Sequence, residues 1–174
     1  SRAFGTPLEL SREPLSEAPL DNDVRHSLKG SVQFYIPGTV KPRLFGVAIP
    51  NGWSLSIQAL IESGRPYTPE RSHPGISPTV GVDIQRNSLR KPSVVNFDIR
   101  FNKDFKFVGM EYSFILWVEN IFDSKNVNSV YANTGRADTQ QNRDRVIYGG
   151  TEYDRNPGNW DFGRQIRVGL EMNL

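Results

Sequence analysis

The 174 residues include no cysteine, 21 basic and 19 acidic side chains (a formal net charge of +2), and 37% hydrophobic residues, with a mean hydropathy of −0.50. This composition excludes disulfides, thiolate metal sites and cysteine nucleophiles, and it supplies no basic field for nucleic acid. No run of about 18 apolar residues occurs, which excludes a transmembrane helix but not a membrane β-barrel, whose strands alternate polar and apolar residues.

In chain order, residues 1–22 predict an irregular loop segment. Pro7, Pro14 and Pro19 stand among Glu and Ser, and no cationic start followed by an apolar stretch marks a secretory signal. Residues 23–174 predict antiparallel strands. In the first strand, Leu28, Val32, Phe34 and Ile36 share one face, with Lys29, Ser31, Gln33 and Tyr35 on the other. The second sets Trp53, Leu55, Ile57, Ala59 and Ile61 against Ser54, Ser56, Gln58 and Glu62, with Leu60 as the one misfit. The third sets Val95, Phe97, Ile99 and Phe101 against Asn96, Asp98, Arg100 and Asn102. The fourth sets Met110, Tyr112, Phe114, Leu116 and Val118 against Glu111, Ser113 and Glu119. The fifth runs from Phe162 through Ile166, Val168, Leu170 and Met172 to Leu174, opposed by Gln165, Arg167, Glu171 and Asn173. Strict alternation means a sheet with one apolar and one wet face.

A soluble sandwich alternates in the same way, so three further features argue for lipid. Each strand spans about 9–13 residues, near the ~9–11 of a tilted membrane strand and beyond the ~5–6 common in soluble sheets. The polar face is heavily charged, as a wet lumen allows. Aromatics (Trp53, Tyr67, Phe105, Phe107, Phe122, Trp160, Phe162) fall near strand ends, where interfacial girdles form. Long loops at 67–92 and 124–160 alternate with a short turn around Lys106–Gly109, the asymmetry of outer-membrane barrels with external loops and periplasmic turns. That polarity places the C-terminus in the periplasm. It also makes the Pro37–Gly52 connection periplasmic, although it is long for such a turn.

The motifs in order are Asp23-Val24-Arg25-His26, Gly52-Trp53-Ser54-Leu55, Glu62-Ser63-Gly64-Arg65-Pro66-Tyr67-Thr68-Pro69, Arg90-Lys91-Pro92, Asn96-Phe97-Asp98-Ile99-Arg100-Phe101-Asn102-Lys103-Asp104-Phe105, Val118-Glu119-Asn120-Ile121-Phe122-Asp123 with Asn126 and Val130-Tyr131, and Gly163-Arg164-Gln165-Ile166-Arg167-Val168-Gly169-Leu170. Across about residues 21–174 this series resembles the C-terminal barrel of TonB-dependent outer-membrane receptors, in particular those with a carboxypeptidase-regulatory-like domain. The resemblance implies a plugged barrel of about 22 strands. It further implies uptake of a bulky nutrient (siderophore, glycan or peptide), driven through TonB by way of the plug. Five strands are too few to close a barrel, since single-chain bacterial barrels begin at about 8. The expected partners are therefore outer-membrane lipid and further barrel strands, from the same protein or from other chains. Ending on Leu174 departs from the aromatic usual in the family. The alternatives are a structural subunit of a larger outer-membrane assembly and a soluble β-sandwich binding module.

No Ser/His/Asp set, phosphate loop or dinucleotide fingerprint occurs, and neither catalysis nor a cofactor is expected. His26 and His73 lack carboxylates at ligand spacing, and Asp138, Asp144, Asp154 and Asp161 lack a calcium-loop order, so solvated loop charge is the expectation there. Glu62, Asp98, Glu111, Glu119 and Glu171 interleaved with Arg65, Arg100, Arg164 and Arg167 predict a salt-bridge lattice on the wet face. Ile115 and Trp117 break the pattern of the fourth strand by facing the polar side, which suggests packing against a plug or infolded loop, or stacking on substrate. Arg65 and Tyr67, at the exit into an external loop, are the other substrate-binding candidates; within the resemblance, such loops contact ligand.

Overall fold

A computed structural model describes residues 17–71, 84–140 and 156–173. Its elements are β1 (Ser27–Ile36), β2 (Arg43–Leu44), β3 (Val47–Ala48), β4 (Trp53–Glu62), β5 (Pro66–Tyr67), β6 (Leu89–Arg90), β7 (Val94–Phe107), β8 (Met110–Glu119) and β9 (Gln165–Asn173). The five long strands form one antiparallel sheet in the order β1-β4-β7-β8-β9, so each strand pairs with its sequence neighbours among the long ones. Two small ribbons, β2–β3 and β5–β6, lie in the connections. Among the described residues the sheet is open, with β1 and β9 as its edges. Among the described residues no helix is long and apolar enough to cross a membrane.

The register carries the alternation of the sequence across the whole sheet. Val32, Ile57, Ile99, Val118 and Ile166 stand in one cross-strand row, and Phe34, Leu55, Phe101, Leu116 and Val168 in the next row but one. Between them on the opposite face lie Gln33, Ser56, Arg100, Trp117 and Arg167. β-Branched and aromatic residues fill the apolar rows, where side chains from neighbouring strands pack against one another. Leu60, the misfit of the second predicted strand, stays in phase and sits on the polar face between Lys29 and Asn96. Lys103 is the one cation in the apolar rows. Its stem lies level with Trp53 and Phe114, while its ammonium reaches the carbonyl of Asn51 at the strand end.

The rows are slanted. Ile36 and Trp53 are level with Lys103, whereas Met110 is level with Phe107, four residues further along β7. At the opposite end, Ser27 and Glu62 are level with Val94, while β8 and β9 pair only from Glu119 and Gln165 onward. Four residues at ~3.4 Å each is a slide of about 14 Å between the two sides of the sheet, the sense of stagger that tilted strands require.

Three expectations are revised. The third strand continues to Phe107, leaving Val108 and Gly109 as a two-residue turn with both residues at positive φ (49° and 78°), the twist that a tight hairpin needs. The long connection after β1 folds its extra length into the β2–β3 ribbon, turning at Phe45 (φ 50°) and Gly46 (φ 83°). Phe162 precedes the last strand and does not belong to it, because Asp123 Oδ1 takes the Arg164 N–H at 2.8 Å and lies where a Cβ on Gly163 would meet it at 2.9 Å. Leu174 lies outside the described residues.

Among the described residues the packing has no conventional core. Among the described residues, the buried hydrophobic side chain other than proline is Ala137, while Leu28, Phe34 and Val168 remain 66%, 51% and 67% exposed. Buried polar groups gather in the loops, as Asn87, Asn120, Asn126, Asn133 and Asn159. The sheet therefore buries backbone and half of each row, but leaves its apolar face uncovered.

Candidate functional site

The charged face is built around Trp117. Register sets it level with Arg100 on β7 and Arg167 on β9, and both guanidinium carbons lie over the indole, at 6.0 and 5.0 Å from the ring centre. Arg167 also pairs with Glu119 at 3.0 Å and donates to Gln165 at 2.8 Å. The indole is thus held by two cations, each contact of a kind worth about 0.5–2 kcal/mol according to its desolvation. Ile115, two residues back, fits because its cross-strand neighbour is Gly169, where a Cβ would already touch the Ile115 Cβ at 3.7 Å. Both side chains that break the pattern thus find partners within the sheet itself. Replacing Trp117 by Ala is expected to lower stability by about 1–2 kcal/mol. The check is a double-mutant cycle with Arg167→Ala in denaturant titrations, and a coupling energy near zero contradicts the clamp.

The expected charge lattice forms in part: Arg167 takes its expected place, and lysines stand in for the other arginines. Glu62 pairs with Lys29 (3.2 Å), Glu111 with Lys106 (2.7 Å) and Glu119 with Arg167. Asp98 instead accepts from the Asn120 backbone N–H (2.9 Å) and from Asn96, while Arg100 lies against Trp117. Lysines whose spacing carried no signal do this work because register, not sequence distance, decides which carboxylate they face.

At the end of the sheet where β1 and β7 begin, the described parts of the long connections converge. Asn126 pairs edge-on with the backbone of Val95, accepting its N–H at 2.9 Å and donating to its C=O at 3.0 Å, so a side-chain amide continues the ladder beyond β8. Asn120, at φ 52°, holds the following turn through both polar atoms: its Oδ1 accepts from Ser124 N, and its Nδ2 donates to the carbonyls of Ser124 and Phe162. Asn87, at φ 57°, donates to the Pro19 carbonyl (2.7 Å) and to Asp21 (2.6 Å). Arg90 ties the same segment down by an ion pair with Asp23 and by donation to the Asp23 and Gly64 carbonyls. Asn tolerates left-handed backbone and mimics a turn with its side chain, which is why it recurs here. Hydrogen bonds from Asn87 and Arg86 hold the Asp21 carboxyl below its ordinary range.

Arg65 and Tyr67 flank the start of β5 at this same end. Tyr67 is half-buried, and desolvation raises its phenol pKa. Arg65 borders a shallow cleft of about 260 Å³ with Lys91, Asn128 and Asp161. Burial, and then the charge of Arg65, lower the Lys91 pKa, and its ammonium donates to the Asn128 carbonyl at 2.8 Å. Trp117 is level with Arg100, six residues along β7 from Val94, so roughly 20 Å of strand separates it from this cleft. The four substrate candidates therefore fall into two places, not one site.

Among the described residues no cluster of three or more metal-ligating side chains occurs. His73, Asp144 and Asp154 lie outside them. Asp138 is committed to Arg136 (2.9 Å) and Thr139, and these bonds bring its pKa to about 2. Because the folded value lies below the ordinary one, this contact is intact above about pH 4 and is lost only as the pH falls through about 2. A carboxyl NMR titration of Asp138 should have its midpoint there, and a midpoint near 4 contradicts the pairing. Sequence reasoning missed Gly64, whose Cβ would come within 1.7 Å of the Lys91 carbonyl oxygen. Glycine inside a Ser-Gly-Arg-Pro exit was the available signal.

Comparison with protein-family models, with curated proteins and with solved structures returns no match to this chain.

Proposed function

We propose that the chain is an arc of an outer-membrane β-barrel of the TonB-dependent receptor type, with its apolar face toward lipid and its charged face toward the lumen. The observation that carries this reading is the contrast between the two faces of the sheet. Apolar rows run five strands wide on one side, exposed on the edge strands and half-buried on the middle ones, and ion pairs with a doubly clamped tryptophan occupy the other. Aromatics bracket the apolar face. Phe97 meets Phe122 edge-on at 5.2 Å near one end, and Phe105 stacks on Tyr112 at 5.6 Å near the other. From Phe97 to Phe105 is about 27 Å along the strand, and less once tilted, the scale of the ~25 Å apolar band of such barrels. The slanted rows and the gathering of long connections at one end agree with it, as does the ordered series of receptor-like motifs.

In this reading the looped end is external, the tight Val108–Gly109 turn and the C-terminus are periplasmic, and the barrel serves uptake of a bulky nutrient, without chemistry of its own. Detergent dependence tests it. The protein should enter vesicles or micelles with its strands protected and aggregate when detergent is withdrawn, whereas a folded, monodisperse monomer in detergent-free buffer overturns the reading.

A further inference from the structure

Two cations stand directly opposite one another at the looped end of the sheet. The Lys91 N–H donates to Arg65 O at 2.9 Å, which extends the β5–β6 register by one residue beyond the Pro66–Arg90 pair. Residues opposite in an antiparallel pair share a face, and like charges so placed repel. The backbones are fixed too closely to relieve this. A Cβ on Gly64 would stand 1.7 Å from the Lys91 carbonyl oxygen, and Arg90 ties the ribbon to the Asp23 and Gly64 carbonyls.

Both side chains line the cleft of about 260 Å³, with Ser63, Asn128, Asp161 and Glu62. Its charges do not cancel. Glu62 is held by Lys29 at 3.2 Å and by the Ser27 hydroxyl at 3.1 Å. That leaves the two cations Arg65 and Lys91 against one carboxylate, Asp161, an excess of one positive charge. Asp161 Oδ1 accepts the Phe162 N–H at 2.8 Å, and among the described residues Asp161 forms an ion pair with neither cation. Lys91 gives one of its three donors to the Asn128 carbonyl. The Arg65 guanidinium, a planar fork of five donors, has no hydrogen-bond or ion-pair partner among the described residues. The lowered Lys91 pKa, owed first to burial and then to Arg65, agrees with an unneutralised pair.

We propose that this cleft binds a carboxylate group of a soluble ligand, bridged between the Arg65 fork and the Lys91 ammonium. A carboxylate presents two coplanar oxygens to the guanidinium, and its single charge cancels the excess. A phosphate dianion would overshoot that excess and face Asp161. The site stands on the geometry of this end of the sheet, whichever solvent meets the strands. Glu62 and Val94 border it from the charged face, so in the barrel reading it opens toward the lumen and not toward lipid.

Sodium acetate titrated into the full chain, with sodium chloride and sodium phosphate compared at equal ionic strength, tests the proposal by NMR of the Arg65 and Lys91 side-chain nitrogens. Acetate should shift both signals saturably and raise the Lys91 pKa, because a bound anion favours the ammonium. Arg65→Gln should weaken the acetate response at least about tenfold. It should not lower stability, since it removes a repulsion and no bond. Arg65→Lys keeps the charge without the fork and should weaken acetate by a smaller factor. No saturable acetate response, equal shifts from chloride, a response that survives Arg65→Gln, or saturation by phosphate below the acetate concentration would each overturn the proposal. The titration is made in the medium in which the chain folds, micelles or plain buffer. A folded monomer in buffer therefore overturns the barrel reading alone, and the acetate response still decides this site.

Discussion

Leu116→Arg should cost about 2–4 kcal/mol of folding free energy in a lipid bilayer, whereas Asn102→Arg, on the other face of the same sheet, should cost less than about 1 kcal/mol. Leu116 lies between Phe101 and Val168 in the second apolar row, away from both aromatic ends. A guanidinium there has no water on the lipid side and must thin the bilayer or bend toward its surface. Asn102 faces the charged side, beside Ser54, whose hydroxyl accepts from its amide at 3.0 Å. An added cation there keeps its hydration. Denaturant titration of vesicle-inserted protein measures both variants, and equal costs would contradict the assignment of faces.

The second large effect is expected at Gly64. Substitution by Ala should destabilise the looped end by about 3 kcal/mol or more, because the new methyl would overlap the Lys91 carbonyl and lie within 2.7 Å of the Pro92 oxygen. Backbone, not a flexible side chain, is what it meets. The β5–β6 ribbon and the Lys91 N–H bond to Arg65 O would have to separate, and with them the Arg90 clamp on Asp23. Exchange at the amides of Lys91 and Asn87 should accelerate, while the mid-strand amides of β7 keep their protection. Unchanged exchange at Lys91 would show that the close approach does not exist in solution.

The sheet was legible in the sequence because period-2 alternation is local: each strand displays its own two faces without knowledge of its neighbours. Leu60 remained in phase despite its chemistry, since a strand cannot turn one side chain over without a bulge. Strand ends were less legible. The predicted third strand is assigned through Asn102 and the predicted turn begins at Lys106, but Lys103 reaches the Asn51 carbonyl and Lys106 reaches Glu111, and β7 runs on to Phe107. Phe162 continued the alternation of the last strand by coincidence. Its neighbours are fixed by Asp123, 41 residues before Arg164, a contact that no local pattern encodes.

The candidate site was legible only as isolated oddities. Trp117 and Ile115 stood out by facing the wrong side, but their partners Arg100, Arg167 and Gly169 come from two other strands and depend on register. The asparagine network is further from reach. Asn87 meets Pro19 and Asp21 across 68 and 66 residues, and Asn126 meets Val95 across 31. The motif Val118-Glu119-Asn120-Ile121-Phe122-Asp123 now has a physical content, since Asn120 and Asp123 hold a left-handed turn and the start of the last strand.

The central claim is that the two faces of one sheet meet different solvents, and the cysteine-free sequence permits a direct measurement. Nitroxides placed one at a time at cysteines substituted along β7 from Asp98 to Phe105, in protein inserted in vesicles, report collision with lipid-soluble oxygen and with a water-soluble nickel chelate. The account predicts strict alternation: oxygen dominates at Ile99, Phe101 and Phe105, and the chelate at Asp98, Arg100 and Asn102. Shielding of Ile99 and Phe101 from both reagents, as in the interior of a sandwich, would contradict it.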